Sequence, residues 1–229
     1  MAKKKKYYAV VKGRNPGIYT EWTGQNGAQA QIIRFSGAVY KGFKTKGEAG
    51  EFMKQQTKDQ PDIEKAESKE LQDGTITIYT DGGCLNNPGP GGYGVVIRSG
   101  EETRELSGGY RLTTNNRMEL MACIVGLSAL KEPSSIILYS DSKYVVDGIS
   151  KGWAKRWQSN GWMRTKTEPA VNPDLWEQLL ALCGRHEVRF QWVKGHAGNE
   201  GNERCDELAS KAASGDALSK DDVYEFNNQ

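Results

Sequence analysis

The sequence predicts an α/β domain preceded by a small α+β unit, and three observations support the α/β class. Residues 75–79 alternate polar and apolar side chains, which is typical of a half-buried strand, and residues 93–97 form a second apolar run. Residues 135–140 are apolar enough for a buried central strand. Residues 120–130, which lie between these strands, are almost all apolar or small, as expected of a helix buried on most sides.

The chain of 229 residues has room for one large domain or two smaller ones. Hydrophobic residues make up 37% and charged residues 26%, which favours a soluble protein with a hydrophilic linker or tail. No apolar run approaches the ~18 residues of a membrane span, and no apolar segment follows the N-terminal lysines, so we expect neither a membrane partner nor secretion. The four cysteines are widely spaced, which favours reduced thiols in a cytoplasmic protein.

Charge is segregated along the chain, although the net charge is only +2. Residues 1–58 contain 12 Lys or Arg against 3 Asp or Glu, whereas residues 59–73 contain 2 against 6. A basic module joined to a mildly acidic one suggests a polyanion binder, unless its lysines serve only solubility. Because residues 56–74 also lack hydrophobic periodicity, we interpret them as an acidic flexible linker between a domain at 1–55 and a second one at 75–213.

The first 55 residues predict a small α+β unit that is too small to hold a deep active site. Apolar runs separated by turn residues predict strands and helices in the order strand 7–11, strand 18–22, helix 24–31, strand 38–43 and helix 45–55. The second helix begins at Thr45, and Glu48 three residues later completes a capping box.

Aromatic side chains of this unit lie among cations, as Trp22, Tyr40 and Lys41 illustrate. Aromatic faces stack on sugars and bases while Lys and Arg meet phosphates, so these residues are candidates for binding nucleic acid. The alternative is that the rings fill the small core, and the sequence leaves both interpretations open for Trp22 and Tyr40.

The second domain predicts a longer series of elements. A third strand at residues 101–110 completes a meander, and Thr114 lies among the polar residues that cap a helix running to about residue 131. A strand at 135–140 is followed by a helix after Asp141 and by a second helix at 173–182, for which Asn172 is the N-cap candidate. A strand at 187–193 leads into a glycine-rich loop at 195–201 and then into a helix opened by Asn202. The C-terminal tail, residues 214–229, is expected to fray.

Four carboxylates occupy comparable places in this plan: Asp81 and Asp141 follow strands, and Glu119 and Asp206 lie near helix starts. Either aspartate alone is as readily a turn former or helix cap. In an α/β fold, however, ligands gather at the carboxyl ends of strands, where adjacent strands could bring the acids together. Clustered carboxylates repel unless a hard divalent cation joins them, and two Mg²⁺ or Mn²⁺ ions are a common device for displacement at a phosphodiester.

Residues 151–166 contain five cations and no acids, with tryptophans interleaved. Tryptophans spaced four apart could pack in a core, but a core does not explain the cations around them. We therefore predict a basic and aromatic protrusion that binds nucleic acid, with Trp153 and Trp157 among its contacts.

The N-terminal unit contains the segments YYAVVKGRNPGIYTEW and AVYKGFKT, followed by a helix. In these segments it resembles the hybrid-binding domain attached to many type 1 ribonucleases H. The resemblance implies that Trp22, Tyr40 and Lys41 contact the DNA strand of an RNA/DNA hybrid. A second lysine of the family pattern is replaced here by Gly42.

Residues 75–213 resemble a type 1 ribonuclease H catalytic domain through four blocks in the family's order: TDGGCLNNPGPGGYG, TTNNRMEL, YSDSKY and WVKGHAGNEGNERCDELA. The resemblance implies a mixed five-stranded sheet flanked by helices, and two Mg²⁺ ions, for which Mn²⁺ can substitute. The implied metal ligands are Asp81, Glu119, Asp141 and Asp206. It also implies that His196 assists proton transfer or product release, whereas His186 has no match and is interpreted as structural.

The resemblance extends to substrate contacts. The positions that line the minor groove and read 2′-hydroxyls are Cys84, Asn87, Asn115 and Asn116. Thr114 and Asn172 match a pocket for a DNA phosphate, in which Leu112 replaces an arginine. Lys143 stands where some members have Gln. The glycines after Asp81 would let the backbone approach the RNA strand closely.

The leading hypothesis is a monomeric endonuclease that hydrolyses RNA in an RNA/DNA hybrid and leaves 5′-phosphate and 3′-hydroxyl ends. A second hypothesis is a non-catalytic hybrid-binding protein with structural carboxylates, which the full set of four acids and the histidine loop disfavours. A third is a related nuclease that acts on DNA, such as an integrase or resolvase. The TTNNRMEL block and the N-terminal unit speak against it.

Overall fold

The computed structural model describes residues 6–24, 27–33, 38–58 and 74–227. The chain divides into two compact units, Met1–Glu70 and Leu71–Gln229. Most of the linker predicted at residues 56–74 lies outside the described residues, which include only its first three positions and Gly74.

The N-terminal unit is an antiparallel three-stranded sheet with two helices, as predicted. Its elements are β1 (Tyr7–Lys12), β2 (Gly17–Tyr19), α1 (Ala28–Ile32), β3 (Val39–Phe43) and α2 (Lys46–Lys58). Strand β1 lies in the middle, between β2 and β3. The predicted capping box at the start of α2 is confirmed, because Glu48 N donates to Thr45 Oγ1 at 3.2 Å and Thr45 N donates to Glu48 Oε2 at 3.1 Å.

The larger unit is built on a mixed sheet whose strand order is β8-β7-β4-β5-β6-β9. Its strands are β4 (Ile76–Cys84), β5 (Gly89–Ser99), β6 (Glu102–Thr113), β7 (Ser135–Ser140), β8 (Glu187–Trp192) and β9 (Leu218–Ser219). Strands β4, β5 and β6 form an antiparallel meander, while β7 runs parallel to β4 and β8 parallel to β7. The predicted α/β class is confirmed, and the two-residue strand β9 is a sixth strand that the sequence analysis did not expect.

Helices cover both faces of this sheet. They are α3 (Asn115–Ser128), α4 (Lys143–Ser150), α5 (Trp153–Ser159), α6 (Pro173–Arg185), α7 (Glu200–Ala213) and α8 (Asp222–Asn227). Alternation along β4 places Ile78 in a core with α3 and α6, and Tyr79 in a second core with Cys205 of α7. Among the described residues, no helix is both long and apolar enough to cross a membrane. All four cysteines are free thiols.

The C-terminal residues differ from the frayed tail that was predicted. Residues 218–219 pair with β6, and α8 follows at once. Asp221, only 4% exposed, accepts hydrogen bonds from Arg117 Nε at 2.7 Å and from Thr113 Oγ1 at 2.7 Å. Arg117 is equally buried and also donates to both carboxylate oxygens of Asp174, at 2.8 and 3.0 Å. The prediction of fraying is wrong for this segment because a buried guanidinium requires these carboxylates.

Replacing Asp221 with Asn is expected to lower the free energy of unfolding by about 3 kcal/mol, because Arg117 stays buried with one of its two carboxylate partners removed. For a unit of this size, that loss corresponds to a fall in Tm of roughly 6–12 °C, measured by far-UV circular dichroism. Asp222→Asn is the matched control, since the Asp222 side chain is 82% exposed beside Lys220. Equal losses in both variants would show that the buried pair is not what stabilises this end of the chain.

Candidate active site

Three carboxylates meet at one edge of the large sheet. The parallel pairing of β4 with β7 ends at Thr80 and Ser140. The next residue of each chain segment, Asp81 and Asp141, therefore lies side by side with the other just beyond the last paired residues. One carboxylate oxygen from each of these aspartates and from Glu119 lies within 4.8 Å of the other two. The prediction that adjacent strands bring the two aspartates together is therefore confirmed.

Glu119 reaches this edge because helix α3 packs unusually close to strand β4. A Cβ atom built on Gly82 would overlap the backbone of Met118 and lie 2.6 Å from Glu119 N. Only glycine permits that approach, and it places the first turns of α3 directly beside Asp81. Asp81 is itself oriented by its neighbour, since Gly82 N donates to Asp81 Oδ1 at 2.8 Å.

Burial and mutual repulsion both disfavour the ionised forms of these acids. Burial, together with the charges of Asp141 and Asp206, raises the pKa of Asp81 from 3.8 to about 7. Burial and the same kind of repulsion raise the pKa of Glu119 well above its usual range, and burial raises that of Asp141. Glu119 Oε2 is buried and has no hydrogen-bond partner among the residues that the structure describes. Without a cation, the cluster of carboxylates is therefore electrostatically unfavourable.

A hard divalent cation fits this set of donors. The ligands are all carboxylate oxygens, which suit Mg²⁺ or Mn²⁺ better than Zn²⁺. The unpartnered Glu119 Oε2 supplies a buried acceptor that a cation would satisfy. Asp81, Glu119 and Asp141 are therefore the residues that could hold the metal.

Asp206 and His196 lie beside this cluster rather than within it. Asp206, the fourth predicted ligand, is in α7 and outside the group of three defined above, although its charge raises the pKa of both aspartates in the cluster. His196 Nδ1 is 3.6 Å from Asp206 Oδ2, and His196 has a positive φ of 52°. Gly195 lets this loop approach, because a Cβ atom there would collide with Asp141 Oδ2.

The residues predicted to read the sugar are joined to one another. Cys84 N donates to Asn115 Oδ1 at 2.8 Å, and Asn115 N donates to Asn87 Oδ1 at 3.1 Å. These contacts connect the segment after β4 to the start of α3, which also carries Glu119. Asn116, the next residue in that turn, is exposed.

The predicted phosphate pocket contains a residue that the sequence analysis missed. Thr114 is the N-cap of α3 and makes no side-chain capping bond. Asn172, the N-cap of α6 with φ 58°, is buried, and its Oδ1 lies 3.5 Å from Arg117 Nη1. Arg117 follows the polar TTNN run by one position, which was its only signal in the sequence. Its guanidinium joins the starts of α3 and α6.

The basic segment near α5 is only partly the surface that was predicted. Trp153 is partly exposed, and Lys151 Nζ lies 5.1 Å from the centroid of its ring. Trp157 is 8% exposed and packs edge-on against Trp176, with ring centroids 5.9 Å apart. This corrects the prediction that Trp157 contacts nucleic acid: the core encloses its ring.

In the N-terminal unit, the two aromatic candidates Trp22 and Tyr40 pack against each other, and a third ring joins them. The ring centroid of Trp22 lies 5.5 Å from that of Tyr40 and 5.1 Å from that of Tyr8, a member that the sequence analysis missed. Lys41 is separated from this row, because its Nζ lies 5.7 Å from the ring centroid of Phe52 in α2. Neighbouring residues of a strand face opposite sides of the sheet, which explains why Tyr40 and Lys41 diverge.

Comparisons with known proteins agree with this architecture. The sequence matches the RNase H family over residues 73–214 and the ribonuclease H1 N-terminal domain over residues 6–53. A ribonuclease H from Syntrophus aciditrophicus (strain SB) is 62% identical over 149 residues, which are 65% of this chain and 86% of that protein. One from Trichodesmium erythraeum (strain IMS101) is 64% identical over 138 residues, 60% of this chain and 88% of that protein.

Two solved structures illustrate the similarity of the fold. The crystal structure of LC9-RNase H1, a type 1 RNase H with the type 2 active-site motif, has a TM-score of 0.57 at 29% identity, covering 70% of this chain and 83% of that one. The solution structure of the PFV RNase H domain has a TM-score of 0.53 at 24% identity, covering 64% and 97% respectively, and shows the fold alone.

The mixed sheet and its acid cluster are those of a metal-dependent phosphodiester hydrolase. Because the family match spans more than half of the sequence, the chain belongs to the ribonuclease H family. This membership supports cleavage of the RNA strand of RNA/DNA hybrids.

Neutralising one acid of the cluster is expected to stabilise the metal-free protein. Because folding raises the pKa of Asp81 from 3.8 to about 7, the wild type loses stability as the pH rises through that range. With a chelator at about pH 8, Asp81→Asn should raise Tm by roughly 2–8 °C. Added Mg²⁺ should then raise the Tm of the wild type more than that of the variant.

The matched control for this measurement is Asp147→Asn in α4, where Asp147 pairs with Lys151 at 2.8 Å outside the cluster. It should leave both Tm and the response to Mg²⁺ close to those of the wild type. A lower Tm for Asp81→Asn in chelator would contradict a repulsive cluster.

Proposed function

We propose that this chain is an endoribonuclease that hydrolyses the RNA strand of an RNA/DNA hybrid with two metal ions, leaving 5′-phosphate and 3′-hydroxyl ends. The observation that carries the proposal is the group of three carboxylates within 4.8 Å, one of which has a buried oxygen with no hydrogen-bond partner in the described part of the chain. Membership of the ribonuclease H family supports the choice of substrate.

The acids would hold the ions, and His196 in the neighbouring loop would act in proton transfer or product release. Asp81, Glu119 and Asp141 are the proposed ligands, with Asp206 completing the set from α7. When bound, Mg²⁺ or Mn²⁺ would supply Lewis-acid activation of the attacking water and stabilise the leaving 3′-oxygen. His196, whose Nδ1 lies 3.6 Å from Asp206 Oδ2, would assist proton transfer or product release.

Selectivity for RNA is assigned to the connected residues at the start of α3. A protein distinguishes RNA from DNA mainly through the 2′-hydroxyl, which both donates and accepts hydrogen bonds. The hydrogen bonds that link Cys84, Asn87 and Asn115 hold amide and backbone groups in one arrangement beside the acid cluster, with Asn116 exposed next to them. Because these residues lie beside the acid cluster, the ribose whose 2′-hydroxyl they contact would belong to the RNA strand that is cleaved.

Three other groups of residues are the proposed contacts for the DNA strand of the hybrid. Thr114 and Asn172 would receive a phosphate near the buried Arg117. Trp153, with Lys151 over its ring, offers a further contact from the basic segment. In the N-terminal unit, residues 1–55, the row of Tyr8, Trp22 and Tyr40 would stack on the hybrid, and the acidic segment 56–74 would tether the catalytic domain 75–213 to it.

We further propose that the enzyme works as a monomer in the cytoplasm. The four free thiols fit a reducing compartment. Size-exclusion chromatography with light scattering, with and without a short hybrid, tests the oligomeric state.

Asp141→Asn is expected to abolish cleavage, by a factor on the order of 10³ or more, because an acid of the metal cluster is lost. Binding of the hybrid should be retained. The measurement uses end-labelled RNA/DNA, RNA/RNA and DNA/DNA duplexes with Mg²⁺ or with chelator, and Asp147→Asn serves as the control. RNA cut only in the hybrid, and only with metal, supports the proposal. Cleavage of DNA/DNA would favour a DNA nuclease, and metal-independent binding without any cleavage would favour a binding protein.

Trp22→Ala is expected to weaken hybrid binding by roughly 5-fold to 100-fold, since stacking on an aromatic ring is worth ~1–3 kcal/mol. Single-turnover cleavage at saturating enzyme should be spared, because the acids lie in the other unit. Binding is measured by fluorescence anisotropy, with Lys46→Ala at the exposed start of α2 as control. A collapse of single-turnover cleavage in Trp22→Ala would argue against separate roles for the two units.

A further inference from the structure

The row of three aromatic rings in the N-terminal unit lacks both lysines of the family pattern. Lys41 lies on the opposite face of the sheet, where its Nζ is 5.8 Å from the ring centroid of Phe43 and 5.7 Å from that of Phe52. Gly42 has no side chain, and a Cβ atom built there would meet the ring of Tyr8 at 3.5 Å. Stacking on a nucleic acid is normally accompanied by cations that meet its phosphates, so this face needs another source of positive charge.

The register of the small sheet brings two other lysines to this face. Strands β1 and β3 are antiparallel, and Tyr8 faces Gly42 across them, one pair before the ladder ends. Two positions on from this pair, along each strand, are Lys6, just before β1, and Lys44, just after β3. Side chains two positions apart on a strand share a face of the sheet. Lys6 and Lys44 therefore lie on the side of Tyr8 and the aromatic row.

The charges of these two lysines are not committed to an acid. Lys6 and Lys44 are both exposed, and neither forms an ion pair with another described residue. Glu48, the acid nearest to Lys44 in sequence, is held at the start of α2, because its Oε2 accepts from Lys44 N at 3.2 Å and from Thr45 N at 3.1 Å. Like charges that face each other on neighbouring strands are destabilising, so an anion between the two ammonium groups would be favoured.

We propose that Lys6 and Lys44 together bind one backbone phosphate of the DNA strand that stacks on the aromatic row. The inference rests on the proposed function, because it needs a hybrid on the N-terminal unit. An ammonium group is a compact point charge without a fixed hydrogen-bonding geometry, which suits a phosphate better than a base edge. Since a phosphate carries no base identity, the contact adds affinity equally for hybrids of any sequence. It supplies the charge that Lys41 and Gly42 do not bring to this face.

The test measures binding of the 229-residue chain to a fluorescent RNA/DNA hybrid by anisotropy, with chelator to prevent cleavage and at several salt concentrations. The double variant Lys6→Met/Lys44→Met should raise Kd by about tenfold, because a charge-assisted contact is lost. The slope of log Kd against log[salt] should fall by about 1, since one phosphate is no longer neutralised. Lys6→Arg/Lys44→Arg should restore both. Single-turnover cleavage at saturating enzyme should be unchanged, because the acids lie in the other unit.

Lys46→Met is the matched control for Lys44→Met, because Lys46 is exposed two positions further on and its loss changes the net charge equally. It should leave Kd and the salt slope unchanged, and an equal loss of binding in both variants would overturn the inference. So would a larger loss in Lys41→Met than in the double variant, or a fall in slope of about 2, which would indicate two separate phosphates. If the double variant binds like the wild type while the wild type cuts the hybrid, the inference fails and the proposed function stands. A wild type that neither binds nor cuts the hybrid overturns the proposed function instead.

A double-mutant cycle tests whether the lysines and the aromatic row hold the same strand. In the Trp22→Ala background, the two lysine substitutions should raise Kd by less than about threefold, because a strand that no longer stacks on the row is not held against the ammonium groups. Additive increases in log Kd would show that the lysines bind independently of the row. That result would overturn their assignment to the stacked strand.

Discussion

The close packing of helix α3 against strand β4 at Gly82 is the constraint on which the active site depends. It forces Glu119 beside Asp81, in a region where burial already disfavours charge. The two hydrophobic cores on either face of the sheet hold these elements in place, so the acids cannot separate to relieve their repulsion. The folded protein therefore retains an electrostatic cost, which a cation shared by the acids removes.

Helix α3 also connects a residue of the acid cluster to a residue that is proposed to read the sugar. Asn115 and Glu119 lie four residues apart on one helix, about one turn, so their separation is set by the helix itself. The loop after β4 is tied to Asn115, whereas Glu119 belongs to the acid cluster. In the proposed function, the group that reads a 2′-hydroxyl and the group that holds a metal would consequently move together, which would keep the reading of the sugar in register with the bond to be cut.

Local patterns predicted most of the fold, because strand alternation, capping residues and turn residues act over a few positions. The placement of Asp81 and Asp141 was predictable for the same reason, since each follows an apolar run, although β4 continues past Asp81 to Cys84. Arg117 and the ordered C-terminal segment were missed because their pairing joins residues 104 positions apart. Trp157 was misassigned because composition does not show which face of a short helix turns inward. Gly82, directly after Asp81, admits helix α3, which the sequence did not indicate, while an approach of the following glycines to RNA stays a prediction.

The pairing of Arg117 with Asp221 also imposes an order on assembly of the larger unit. During synthesis, Asp221 leaves the ribosome after all four acids have been made, so the cluster can form before the start of α3 is clamped. Contacts of such long sequence separation form late in folding, since the chain between them must first be ordered. A polypeptide interrupted shortly before Asp221 would contain every acid of the site, yet its Arg117 guanidinium would lack one of the two carboxylates that anchor the helix bearing Asn115 and Glu119.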